Sequence, residues 1–263
     1  MPRPPVRVLA VPVLALGVLL TATACGGSDG PDAAAEPASA SASPGPARTG
    51  AAPSPASAPA LTEAQAQAAL ITEADLGEPW AATQGAATWR DGMLKASTER
   101  ADCRRLLDTL YTEEFFGPDA RTRAVTGLDD DWDGAQIRYQ VVAHPPREAD
   151  RTLDWLRSLP RKCGEFTAVT ATGEKEYAEV TETELPEEAG DARQGLRITL
   201  TVPTSDDDAT TLTLDLAAVR VGDDAIVLTN GGLGDVPGDA TWAATEIGAR
   251  RLAEVHKQGR VEV

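Results

Sequence analysis

The chain has 263 residues, 42% of them hydrophobic and only 4% aromatic, with a formal net charge of -17. The charge is uneven: residues 1–24 carry two Arg and no acid, residues 26–60 carry Asp29, Asp32, Glu36 and Arg48, and residues 61–263 hold 21 basic against 38 acidic groups. A surface this acidic repels phosphate backbones, which excludes a nucleic-acid binder, and about 200 residues can bury a core without a metal to hold it.

Arg3 and Arg7 precede an uncharged apolar run at 8–20, too short to cross a bilayer comfortably, so the first segment is expected to be an export signal. The small residues Ala22, Thr23 and Ala24 lead directly to Cys25, Gly26 and Gly27. This resembles the bacterial lipobox, with Ala22 where Leu is typical. It implies a signal peptide over 1–24 and acylation of Cys25 by palmitate-type chains, each buried methylene contributing about 0.8 kcal/mol of membrane affinity. The alternative is an ordinary signal peptide cut after A-T-A, with Cys25 incidental. Residues 26–60 hold seven prolines and, apart from four charged residues, only Ala, Pro, Ser, Gly and Thr. With almost no large apolar side chain to offset the entropy of ordering, 25–60 is expected to be an acylated Cys and a disordered linker ahead of a globular domain at 61–263.

Thr62 and Gln65 have capping-box spacing, which predicts a helix over 62–71 with Ala66, Ala69 and Leu70 inward, followed by a loop through 72–80. Cys103, Leu106, Leu107 and Leu110 recur at helical spacing and predict a helix over 100–111, stopped by Gly117-Pro118. Alternation at 121–128 and 135–144 predicts a hairpin, with Ile137, Tyr139 and Val141 on one face. A further helix is expected over 147–159. After Pro160 come strands at 166–171, 177–185, 196–202, 211–221 and 225–229, separated by polar turns such as T-S-D-D-D. Asp239 opens a last helix running to Gln258. The expected class is α+β: an antiparallel sheet with helices packed on one side and a C-terminal helix. Cys103 and Cys163 are the two cysteines left in the domain. In an exported protein an even pair is expected to oxidise, two separate buried thiols being the alternative.

Four stretches taken together, L-I-T-E-A-D-L-G-E-P-W (70–80), A-D-C-R-R-L (101–106), L-D-W-L-R-S-L-P-R-K-C-G-E-F (153–166) and A-V-R-V-G-D-D-A-I-V-L-T (218–229), resemble the PknH-like extracellular sensor domain family. Its members include the outer domains of actinobacterial Ser/Thr kinases and stand-alone lipoproteins. The resemblance spans 61–263 and implies an α+β fold with a cleft for an unidentified ligand. It transfers no catalytic residue. This chain lacks the kinase part, and it can form one disulfide where the kinase-linked members have two.

Catalytic motifs are absent: there is no G-x-S-x-G, H-E-x-x-H, G-x-x-x-x-G-K-[ST] or strand-linked G-x-G-x-x-G. Only His144 and His256 are present, one before two prolines and one in the last turn of a predicted helix, and both read as structural. Asp129, Asp131, Asp133 and Gly134 match the start of a calcium loop, but the twelfth position is Gln140 and the flanks read as strands. The segment is therefore expected to be a solvated Asp-Gly hairpin turn with no metal. Among the tryptophans, Trp155 and Trp242 are expected in the core, whereas Trp132, in the acidic turn, is a candidate contact for a glycan or a partner. The resulting expectation is a non-enzymatic, lipid-anchored protein on the extracytoplasmic face of the cell membrane. It uses no cofactor and binds an unidentified ligand or envelope protein. A carboxylate-dependent envelope glycan hydrolase and a structural wall-associated protein are the alternatives.

Overall fold

The computed structural model describes residues 61–117, 120–204 and 208–261. The expected signal segment, Cys25 and the linker lie outside the described residues, as do Pro118 and the Asp206-Asp207 part of the acidic turn. Among the described residues no helix is long and apolar enough to cross a membrane.

Thr62 opens α1 (Glu63–Ala68). Its hydroxyl accepts the Gln65 N–H at 3.2 Å, and Gln65 Oε1 accepts the Thr62 N–H at 2.9 Å, as the capping-box spacing requires. Thr72 and Asp75 build a second such start at α2 (Glu73–Leu76), a single turn in a stretch expected to be loop. Next come β1 (Trp80–Ala82), a π-turn at Arg90–Leu94, β2 (Ala96–Ser97) and α3 (Ala101–Thr112). The hairpin β3 (Arg121–Asp130) and β4 (Gln136–Ala143) precedes α4 (Pro146–Cys163). The meander follows as β5 (Glu165–Thr170), β6 (Lys175–Thr183), β7 (Ala192–Pro203), β8 (Ala209–Val221) and β9 (Asp224–Leu233), and α5 (Gly238–Val261) ends the fold.

All nine strands join one sheet in the order β1-β3-β4-β9-β8-β7-β6-β5-β2, and each neighbouring pair is antiparallel. The hairpin and the meander meet where β4 pairs with β9, Tyr139 opposite Leu228. The α+β class, the antiparallel sheet and the C-terminal helix are as expected, but the helices cover both faces and not one. Along β8, Leu212, Leu214, Leu216 and Ala218 pack into the core beneath α3 and α4, while Ala217, Val219 and Val221 pack into a second core beneath α1 and α5. A strand apolar on both faces must be covered on both, and the near-continuous burial of β8 and β9 is the physical reason for the second layer.

Several boundaries differ from expectation, and three have a clear physical reason. The stop of α3 is Glu113, held in the left-handed region at φ 62° because its carboxylate reaches Arg90 at 3.0 Å and Arg138 at 3.3 Å. Helix α4 continues through Pro160 by one turn, which carries Cys163 to α3. Strand β9 runs four residues beyond expectation, through Gly231 and Gly232, which in sequence look like a turn. A Cβ at Gly231 would lie 2.2 Å from Leu214 Cδ2, so glycine there permits close packing inside a strand.

Candidate functional site

The residues with obvious chemistry are dispersed into structural roles. His144 is buried, with its ring 5.6 Å from that of Phe116, and His256 Nε2 lies 2.9 Å from Asp224 near the end of α5. Trp155 is core, as expected: Arg105 stacks 3.9 Å over its ring and its indole N–H donates to Asp102. The Cys103 and Cys163 sulfurs are bonded, with Cα atoms 5.5 Å apart. Trp242 corrects its expectation. It is 42% exposed and flanks a wide trough with Leu185 and Thr183, because helical spacing alone does not decide which side of α5 the sheet covers.

The site that gathers the sequence's unusual residues is a cleft of about 290 Å³ where three segments meet: the α2–β1 connection, the β3–β4 turn and the start of α5. Asp75 fixes the first segment. Its carboxylate accepts the Thr72 N–H at 2.7 Å and a two-pronged contact from Arg251 of α5 at 2.5 and 2.7 Å, while Arg251 also donates to the Leu70 carbonyl. That guanidinium, hydrogen-bonded to the carboxylate, holds the Asp75 carboxyl down at about 2. Gly77, at φ 73°, turns the chain into a cis Glu78–Pro79 bond, and Trp80 enters β1 opposite Asp130 of β3.

The β3–β4 turn is built by its own aspartates. Asp130 Oδ1 accepts the N–H groups of Trp132 at 2.8 Å and Asp133 at 3.1 Å, and Gly134 completes the turn at φ 69°. This leaves Trp132 75% exposed at the mouth of the cleft. Asp129 points elsewhere, accepting from Gln136 Nε2 at 2.7 Å and from the Gln84 N–H, and Gln140 donates to Glu113. The calcium-like spacing therefore does not fold into a calcium loop. Among the described residues no three His, Cys, Asp or Glu side chains gather closely enough to hold a metal ion.

The third wall, the start of α5, rests on a buried polar chain. Asn230 donates to the Pro237 carbonyl and to Thr241, Thr241 donates to Asp215, and Arg197 grips Asp215 at 2.7 and 3.0 Å. Half-buried Leu76, Pro79, Trp80 and Pro237 give the cleft its apolar surface beside Asp75 and Asp130, and exposed Glu78, Asp133 and Asp239 stand at its rim. Asp75 and Asp130 are committed to Arg251 and to the turn. The three rim acids have no cationic partner among the described residues. Sequence reasoning marked Trp132 and the acidic turn that holds Asp133, but not the cleft, because Trp80 and Asp239 are brought to that turn only by the β1–β3 pairing and the docking of α5.

The extracellular domain of PknH from Mycobacterium tuberculosis has a similar structure, at 14% sequence identity and a TM-score of 0.43, covering 76% of this chain and 99% of that one. No protein-family model matches the chain. No curated protein matches it either.

Proposed function

We propose that this chain is an extracytoplasmic lipoprotein, anchored through acylated Cys25 and a linker at 26–60, whose domain at 61–263 binds a ligand or envelope partner without catalysing a reaction. The cleft between Trp80 and Trp132 carries this reading. It offers two indole rings, apolar side chains and three rim carboxylates without a cationic partner among the described residues, and no Ser, Thr, Cys, His or Lys lines it. The bond between Cys103 and Cys163 supports an oxidising compartment, as do the basic start, apolar run and small residues ahead of Cys25. The four sequence stretches that resemble the PknH-like sensor family point the same way.

A glycan hydrolase needs a carboxyl that stays protonated near neutrality in its cleft. Burial gives Glu176 that property, but Glu176 is a fully buried residue of β6 and does not line the cleft. Two experiments test the reading. Cys25→Ser is expected to release the protein from the membrane fraction, and full retention would refute the anchor. Mass spectrometry of protein purified natively from its source is expected to find a small molecule that the Trp132→Ala variant no longer carries. A variant that copurifies the same molecule at the same level would refute the cleft as its site.

A further inference from the structure

Resting on the cleft as the binding site, we propose that its ligand is an organic cation: an amine or quaternary ammonium head group, or a sugar with a free amino group, seated against Trp80 and Trp132. Three independent features select this class. Trp80 and Trp132 both line the cleft, and an indole face attracts a cation and is indifferent or unfavourable to an anion. The rim adds Glu78, Asp133 and Asp239, three exposed carboxylates from three separate chain segments with no basic residue among the cleft's lining. Finally, half-buried Leu76, Pro79 and Pro237 add apolar surface to the lining, which favours a cation that carries carbon.

The spacing of the carboxylates distinguishes an organic cation from a metal. A hard ion needs several oxygens within about 2.3–2.6 Å of one point. The rim acids are not gathered in that way. A head group with dispersed charge and several N–H or N–CH₃ groups can face all three at once while its carbon surface lies on the rings. Size agrees: about 290 Å³ is near the lower end of ligand pockets, which run from about 300 Å³, so the occupant is one ring or one head group. The excess of acids over residues 61–263 steers cations toward the domain at low ionic strength.

The test is a fluorescence titration of the full chain with tetramethylammonium and glucosamine, and with N-acetylglucosamine and calcium chloride as contrasts. The expected result is saturable quenching by the two cations, weakened by added salt and at least about tenfold weaker or absent with N-acetylglucosamine. Trp132→Leu is expected to abolish the response, and Glu78→Gln with Asp133→Asn to weaken it by about tenfold or more. Both changes are at exposed positions, and unchanged thermal melting establishes that the variants are folded. Equal quenching by N-acetylglucosamine would overturn the cationic class while leaving the cleft a ligand site. Saturation by calcium alone would overturn it in favour of a metal. Silence toward every probe would overturn the inference, whereas the binding reading itself fails only if native-source protein carries no molecule that depends on Trp132.

Discussion

Glu176 places both carboxyl oxygens inside the core beneath α3 and α4 with no hydrogen-bond partner, and it exposes none of its surface. Its strand neighbours on that face are Ala168 and Ala178, which offer nothing polar. Burial alone pushes the carboxyl from 4.5 up to about 7. The consequence has a definite sign. Below about pH 4.5 the group is neutral in both folded and unfolded chains and costs little. Between about 4.5 and 7 the unfolded chain ionises while the folded one holds its proton, so stability falls as pH rises. Above about 7 the penalty is constant, at roughly 3 kcal/mol. Glu176→Met, which keeps the volume and removes the charge, is expected to raise the melting temperature at pH 8 by several degrees and to change it little at pH 4.5. Equal gains at both pH values would show that packing, and not ionisation, is responsible. The strand expected at 177–185 starts one residue after Glu176, and the sequence could not mark this acid as buried because Lys175 to Glu179 reads polar at every residue but Tyr177 and Ala178.

The clamp of Arg251 on Asp75 joins α2 to α5 and thereby sets the width of the cleft. Neither helix has another charged tie to the other among the described residues. The bridge is partly exposed, 31% on the Arg side chain and 15% on the Asp, so the energy implied by the depressed Asp75 carboxyl is reduced by solvent screening. Arg251→Ala is expected to destabilise the domain by about 1–2 kcal/mol and to weaken cleft-dependent quenching, with Arg251→Lys recovering part of the stability but less of the geometry. The native contact contributes above about pH 3.8 and is lost as pH falls toward 2, so the variant and parent should converge in acid. A variant that melts like the parent at pH 7 would show that α2 is held by packing alone. At this scale much was legible from local pattern: the Thr62 cap, the stripes of α3 and α4, and the Ile137, Tyr139 and Val141 face all follow periodicity. What escaped depends on partners distant in sequence. The end of α3 is decided by Arg90 and Arg138, the length of β9 by Leu214 beside Gly231, and the exposure of Trp242 by how far the sheet extends under α5.

The sheet is built mainly from a hairpin and a meander joined by one strand pairing, β4 with β9, and the disulfide closes a loop around the hairpin. Cys103 lies on α3 before the hairpin and Cys163 at the end of α4 just before the meander, so the 60-residue loop between them contains the whole hairpin. Closing such a loop restricts the unfolded chain and contributes roughly 4 kcal/mol on a chain-entropy account. The native junction does not depend on it alone. Arg100 donates to the carbonyls of Lys162 and Glu165, Lys162 Nζ lies 3.1 Å from Asp102, the Trp155 indole donates to the same aspartate, and Leu106, Leu107, Leu156 and Leu159 are buried between the helices and the sheet. The reduced protein is therefore expected to keep its native spectrum under mild conditions while unfolding at a lower urea midpoint. Its m-value should increase, because the chain without the cross-link exposes more surface when unfolded. Cys103→Ser with Cys163→Ser should reproduce the shift. If the reduced chain instead lost its native tryptophan and far-UV signals in the absence of denaturant, the α3–α4 contacts would be too weak to hold the two helices on the sheet, and the cross-link would be a condition of the fold and not a reinforcement of it.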